Sequence, residues 1–129
     1  MPNLDKTILV IEDEEPMLNA LVKKFQKEGF NVLKAQDGNE GLESALKNKP
    51  NIMVVDIIMP KLDGISLIKR VRMEGGEWGK EVPIIMLTNL SDTESVSEAA
   101  NFGVYDFLVK TDWRLDDVVR LVKQKLNLA

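Results

Sequence analysis

Short apolar runs alternate along the chain with longer segments in which apolar residues recur at helical spacing. The three strongest runs span 7–11, 52–56 and 82–88, and each is bounded by acidic, polar or turn-forming residues. Runs of this length that are apolar on both faces are typical of strands buried inside a parallel sheet. Two weaker runs, at 31–35 and 106–110, are predicted as strands from their position in the alternation.

The four segments between these runs and the segment after the last one predict five amphipathic helices, whose apolar faces would pack against the core. Gly29 and Gly103 stand where the first and fourth helices would end, and Pro50 follows the second. The segment 73–80 is predicted to be a surface loop. The apolar residues that define the five helices are Met17, Leu18, Leu21, Val22 and Phe25; Leu42, Ala45 and Leu46; Ile65, Leu67, Ile68 and Val71; Val96, Ala99 and Ala100; and Leu115, Val118, Val119, Val122 and Leu126.

Five strands that alternate with five helices predict an α/β fold, in which a doubly wound parallel sheet carries helices on both faces. The length of 129 residues suits one domain. In folds of this kind the functional site lies at the carboxyl ends of the strands. The polar residues that follow the strands are therefore the first candidates for function.

Composition removes several kinds of chemistry. The chain has no cysteine and no histidine, which excludes disulfides, thiolate and imidazole catalysis, and the usual zinc ligands. Its net charge of −4 and its lack of a basic cluster argue against direct binding to nucleic acid. No apolar run approaches the ~20 residues needed to cross a bilayer. Because the chain also begins without a signal-like segment, we expect a cytoplasmic protein with no membrane partner.

Charged and hydroxyl residues follow four of the predicted strands. Glu12 and Asp13 follow the first, Asp56 closes the third, Thr88 the fourth and Lys110 the fifth. Carboxylates about 5 Å apart repel each other by roughly 3 kcal/mol at an effective dielectric of 20. A hard divalent cation such as Mg²⁺, together with Lys110, would neutralise that repulsion. Since cysteine and histidine are absent, the nucleophile of this cluster would be a carboxylate, which favours an acyl phosphate.

Four segments, in this order, resemble the receiver domain of response regulators in two-component signal transduction. They are ILVIEDEEP at 8–16, MVVDIIMPKLDG at 53–64, PIIMLT at 83–88 and DFLVK at 106–110. The resemblance covers about residues 5–126 of a single domain at 1–129, and it implies a flavodoxin-like sheet with the strand order 2-1-3-4-5. Within the second segment, Pro60 and Gly64 are predicted to turn the loop, because proline fixes φ and glycine permits a positive φ.

The resemblance implies a role for each polar residue at the strand ends. Asp56 corresponds to the phosphoacceptor, Lys110 to the lysine that contacts the phosphoryl group and Thr88 to the switching hydroxyl. Phe107, three places before the lysine, corresponds to the switching aromatic residue; because it lacks a hydroxyl, its switch would rest on packing. The implied ligands of Mg²⁺ are Asp13, Asp56 and the backbone carbonyl of Ile58, with Glu12 acting through a bound water.

The resemblance also implies a signalling switch rather than an enzyme, although the domain would catalyse its own phosphorylation and dephosphorylation. The expected phosphodonor is a sensor histidine kinase, a phosphotransfer protein or a small phosphodonor. Phosphorylation would change the face formed by the fourth predicted helix, the fifth strand and the fifth helix. That face would control an output partner or a C-terminal effector domain, or form a dimer. A stand-alone regulator and a piece of a longer one both fit the sequence.

Other phosphate-handling folds fit these residues less well. The run of acids that begins at Glu12 would repel the phosphate of FMN in a flavodoxin. A haloacid-dehalogenase phosphatase needs an acid two places after its nucleophile, where this chain has Ile58, and the G-x-x-x-x-G-K-[ST] motif of GTPases is absent. A degenerate receiver that acts only as a docking module stays open as the alternative, and the complete set of polar residues argues against it.

Four positions modify what the resemblance implies. Thr111 stands where a proline often follows the lysine, which affects the loop after the fifth strand. Asn89 stands where a small residue usually follows the threonine, and it would narrow the approach to the acceptor. Ile58 and Leu90, two places after the acceptor and the threonine, are apolar and cannot orient an attacking water. Hydrolysis of the aspartyl phosphate is therefore predicted to be slow.

Overall fold

The five predicted strands form one parallel sheet in a computed structural model that describes residues 5–59, 61–89, 93–111 and 114–128. The order across the sheet is β2-β1-β3-β4-β5, which confirms the predicted fold. The fourth strand begins after Pro83, which lacks the N–H that a strand ladder needs, and the fifth ends before Lys110. The strands are β1 (Thr7–Ile11), β2 (Asn31–Ala35), β3 (Ile52–Asp56), β4 (Ile84–Thr88) and β5 (Asp106–Val109).

The described residues form six helices, one more than predicted. Two of them begin at aspartates whose side chains accept a hydrogen bond from the backbone three residues on: Asp37 from Glu40 and Asp63 from Ser66. No helix in the described ranges is long and apolar enough to cross a membrane. The helices are α1 (Glu15–Lys27), α2 (Gly38–Asn48), α3 (Gly64–Glu74), α4 (Gly76–Glu81), α5 (Thr93–Ala100) and α6 (Leu115–Lys125).

The additional helix is α4, so the prediction of a surface loop at 73–80 was wrong. Gly75 separates α4 from α3, and the next residue has a positive φ of 63°, which glycine tolerates. Distant backbone groups hold the segment in place: Trp78 Nε1 donates a 2.7 Å hydrogen bond to the carbonyl of Pro50. Arg72 donates to the carbonyls of Gly79 and Val82, and also to that of Phe102 after α5. These partners lie outside the local pattern that sequence analysis uses.

The core lies in two layers, one on each face of the sheet. Leu9 and Met53 belong to the layer covered by α2, α3 and α5, whereas their neighbours Ile8 and Ile52 belong to the layer covered by α1 and α6. This alternation follows from the two-residue period of a strand. Because the central strands β3 and β4 are buried along their whole length, a charged or hydroxyl residue at their ends is held rigidly.

Candidate functional site

The carboxyl ends of the strands bring five of the predicted residues to one edge of the sheet. Asp56 ends β3 in the centre; Glu12 and Asp13 follow β1 on one side of it, and Thr88 ends β4 on the other. Lys110 follows β5, and its backbone N–H donates a 2.7 Å hydrogen bond to the carbonyl of Thr88. The structure thus places these residues where the strand ends predicted them, and their chemical roles stay predictions.

Three carboxylates and one ammonium group form the centre of the cluster. Glu12 is 0% exposed and Asp56 is 2% exposed, whereas Asp13 is open to solvent. One oxygen from each of these acids lies within 4.8 Å of the other two. Lys110 Nζ lies 3.1 Å from Glu12 Oε1 and 3.1 Å from Asp56 Oδ2. Those two oxygens are buried and accept no well-aligned hydrogen bond from the described residues, so the lysine pairs with them through charge.

Burial and charge alter the protonation of this cluster. Burial raises the pKa of Asp56 to about 8, the neighbouring Glu12 carboxylate raises it further, and Lys110 offsets part of this effect. Burial lowers the pKa of Lys110, but its attraction to Asp56 and Glu12 outweighs burial, and the net pKa lies above the usual 10.5. Without a cation, the lysine is therefore charged at neutral pH while Asp56 is largely protonated.

The same oxygens fit a hard divalent cation. Mg²⁺ prefers oxygen ligands and takes one or two carboxylates together with water. Glu12, Asp13 and Asp56 supply converging carboxylates, and two of their buried oxygens have no aligned hydrogen bond in the described chain. A cation would also remove the repulsion that raises the pKa of Asp56. The N–H of Ile58 donates to Asp56 Oδ1 at 3.3 Å, and the role of the Ile58 carbonyl as a ligand stays a prediction.

The loop after β3 turns differently from the prediction. The positive φ, of 70°, belongs to Lys61, and Gly64 is not among the glycines with positive φ. Gly64 is small for another reason, because a Cβ there would lie 2.6 Å from the backbone oxygen of Asp56 and 2.8 Å from Cα of Ile57. Glycine thus lets the start of α3 approach the end of β3. The predicted turn residue Pro60 lies outside the described residues.

Other predicted residues lie at the margin of the cluster. Phe107 is on the edge strand β5 opposite Met86, and it is 43% exposed, as an outward switching ring would be. The side chain of Ile58 is also exposed. Thr111 lies in an exposed turn after Lys110, whereas Leu90 is outside the described residues.

Sequence analysis missed one member of the cluster. Glu14 Oε1 lies 3.6 Å from Lys110 Nζ, which makes it the third carboxylate on the lysine. The backbone N–H of Glu14 also donates a 3.1 Å hydrogen bond to Glu12 Oε2. The available signal was the run of acids from Glu12 to Glu15, but the spacing alone could not show which of them turns toward a lysine on another strand.

Comparisons with known sequences agree with this arrangement. The family described as the response regulator receiver domain matches residues 8–123. The alkaline phosphatase synthesis transcriptional regulatory protein PhoP of Bacillus subtilis is 34% identical over 107 residues, which cover 83% of this chain and 43% of PhoP. The chain spans about half the length of the curated relatives it matches.

Solved structures agree as well. The chemotaxis response regulator CheY4 of Vibrio cholerae is similar with a TM-score of 0.83 at 27% identity, over 92% of this chain and 97% of that one. The receiver domain of a sensor histidine kinase from Pseudomonas aeruginosa, which has a magnesium ion coordinated in its active site cleft, is similar with a TM-score of 0.80 at 25% identity, over 92% and 95% of the two chains. Sequence and structure therefore lead to one conclusion: this chain belongs to the response regulator receiver domains of two-component systems.

Proposed function

We propose that Asp56 accepts a phosphoryl group and that its phosphorylation changes the face formed by α5, β5 and α6. The observation that carries the proposal is the buried Asp56 carboxylate, which lies within 4.8 Å of two further acids and 3.1 Å from the Lys110 ammonium. Burying a carboxylate costs free energy, so such a group is usually paired with an opposite charge or retained for a chemical function. The complete cluster favours phosphoryl transfer over the docking-only alternative.

In the proposed reaction, an oxygen of Asp56 forms a bond to phosphorus. The bond from phosphorus to the donor breaks, and the donor group leaves with the electron pair. Lys110 is close enough to Asp56 Oδ2 to move onto an oxygen of the arriving phosphoryl group. When bound by Asp13, Asp56 and the Ile58 carbonyl, with Glu12 acting through water, Mg²⁺ would supply charge neutralisation for the carboxylates and the phosphoryl oxygens.

The switch that we propose runs through β4 and β5. The Thr88 hydroxyl would donate a hydrogen bond to the phosphoryl group, and the outward ring of Phe107 would pack into the space that Thr88 leaves. Raising a conformation from about 1% to 99% of the population requires roughly 5.5 kcal/mol. One charge-assisted hydrogen bond contributes about 1.5–3 kcal/mol. Lys110 and the loop after Thr88 would therefore have to supply the remainder.

The partners follow from the family and from its named members. We infer that a cytoplasmic histidine kinase or phosphotransfer protein donates the phosphoryl group, and that the domain works as a switch and not as an enzyme acting on a separate substrate. PhoP is named a transcriptional regulatory protein. This supports regulation of transcription as the output, exerted through an effector domain or a separate partner. A dimer formed on the α5–β5–α6 face is one way in which phosphorylation would reach that output.

Incubation with acetyl phosphate and Mg²⁺, followed by intact-mass and peptide mass spectrometry, tests the assignment. The wild-type protein should gain one phosphoryl group on Asp56, and Asp56→Asn or a chelator should abolish the labelling. Asp13→Asn should weaken it through the cation, whereas Asp106→Asn, which removes a half-buried acid on β5 that pairs with Lys125, should not. Unchanged labelling of Asp56→Asn would show that the acceptor is misassigned. A wild-type protein that takes no label but still binds a partner would favour the docking module.

A further inference from the structure

Lys110 lies close to a third carboxylate, in addition to the two buried acids of the cluster. Besides Glu12 and Asp56, its ammonium lies 3.6 Å from Glu14 Oε1. The Glu14 side chain is 62% exposed, whereas that of Lys110 is 13% exposed, so Glu14 stands on the solvent side of the lysine. A phosphodonor that approaches Lys110 from solvent would meet this carboxylate.

We propose that Glu14 is a positioning residue that holds Lys110 on the acidic cluster and slows the phosphorylation of Asp56 by anionic donors. The inference rests on the proposed function. In the reaction with acetyl phosphate, an Asp56 oxygen bonds to phosphorus, the bond from phosphorus to the acetate oxygen breaks, and acetate leaves with the electron pair. Lys110 must move onto a phosphoryl oxygen during this step, and the Glu14 charge opposes that movement and repels the incoming anion.

The structure shows little other use for the Glu14 side chain. It stands at the N-terminal cap of α1 but accepts no capping hydrogen bond there, and proline follows within the first two positions of the helix. Its contact with Glu12 uses the backbone N–H, which any side chain except proline retains. Replacement of the carboxylate by a carboxamide should therefore leave the start of α1 and the buried acids in place.

The chain offers a matched control in the next residue. Glu15 is also an exposed glutamate, in the first turn of α1, but it is not one of the three carboxylates paired with Lys110 among the described residues. Glu14→Gln and Glu15→Gln remove the same charge one position apart. Glu14→Asp keeps the charge and tests whether charge or side-chain shape matters.

The experiment measures the second-order rate constant for labelling by acetyl phosphate with Mg²⁺ at two ionic strengths. At about 0.02 M, Glu14→Gln should react roughly three- to tenfold faster than the wild type, since one exposed charge near the reacting group is removed. At about 0.5 M, where the Debye length is roughly 4 Å, the ratio should be smaller, because the repulsion of the incoming anion is screened while the 3.6 Å contact with Lys110 is screened only in part. Glu15→Gln should stay within about twofold of the wild type at both, and Glu14→Asp should lie closer to the wild type than to Glu14→Gln.

Several results would overturn the inference. Equal rates for Glu14→Gln and Glu15→Gln would show that the contact with Lys110 has no kinetic effect. A gain that is undiminished at high salt, or that Glu14→Asp shares in full, would assign the effect to side-chain shape instead of charge. If all the proteins, including the wild type, stay unlabelled on Asp56, the proposed function fails first and this inference with it.

Discussion

The raised pKa of Asp56 predicts an unusual dependence of stability on pH in the absence of divalent cations. In the folded protein that pKa is about 8, against an ordinary value of 3.8. Between these two values the folded state binds more protons at Asp56 than the unfolded state does. The contribution of this group to stability is therefore fully present below about pH 3.8 and is lost as the pH rises through 8. Asp56→Asn has no such proton to lose.

The magnitude follows from linkage. Inside this window, a group that is protonated when folded and ionised when unfolded changes the free energy of unfolding by about 1.4 kcal/mol per pH unit. Between pH 5 and pH 7, the wild type should lose about 3 kcal/mol relative to Asp56→Asn. The chain has no histidine, so no imidazole titrates in this range and obscures the effect.

Urea unfolding in EDTA, followed by circular dichroism at each pH unit from 5 to 8, measures the two free energies of unfolding. Glu43→Gln serves as the control, because Glu43 is an exposed acid on α2 and is not a member of the cluster. Its difference from the wild type should stay constant across this range. Mg²⁺ should stabilise the wild type at pH 7 much more than Asp56→Asn, since a cation bound to the folded state shifts unfolding by mass action.

A flat difference between the wild type and Asp56→Asn from pH 5 to pH 8 would refute the reasoning. It would mean that Asp56 is ionised throughout and that Lys110 fully compensates for burial and for Glu12. A slope shared by Glu43→Gln would assign the effect to the whole surface charge. Equal stabilisation of both proteins by Mg²⁺ would place the cation away from Asp56.

Three further outcomes are expected. Ile58→Asn should speed the loss of the phosphoryl group about fivefold, because the new amide can form one hydrogen bond of about 1 kcal/mol to an attacking water. Equal decay rates for the variant and the wild type, measured by mass spectrometry, would show that an apolar residue at position 58 does not slow hydrolysis. Thr88→Ala should still be phosphorylated on Asp56, but its amide chemical shifts on the α5–β5–α6 face should change less than those of the wild type when beryllofluoride binds. Changes as large as in the wild type would mean that Thr88 does not couple the site to that face. Arg72→Met should lower the free energy of unfolding by about 2–4 kcal/mol, because three backbone carbonyls lose their donor. Arg70→Met should lower it by less than about 1 kcal/mol, because Arg70 forms an exposed pair with Glu74. Similar losses for the two variants would show that the Arg72 hydrogen bonds are not stabilising.

Local pattern determined the sheet and the location of the candidate site. The run 52–55 is buried on both faces, as is typical of strands inside a parallel sheet, and the alternation of such runs with helices favours strands that all point the same way. The pattern therefore predicts that Asp56 and Thr88 lie at the same edge of the sheet, without saying how close together they are. The strand order came from the family resemblance, and the structure confirms it.

Tertiary structure decided the features that depend on contacts between residues far apart in the sequence. Most of the segment 73–80 is helical although its paired glycines locally favour a turn. Trp78 bonds to the carbonyl of Pro50, and Arg72 joins the carbonyls of Gly79 and Val82 in and after α4 to that of Phe102 after α5. Gly64 is required by the close approach of the Asp56 backbone and not by a positive φ. Of four successive acids, Glu12 is wholly buried beside Lys110 and Glu14 reaches the same lysine from the solvent side, because the path of the chain after β1 sets which carboxylates face the sheet edge. Periodicity within a window of ten residues carries no information about such contacts, since they join segments that meet only after the sheet has formed.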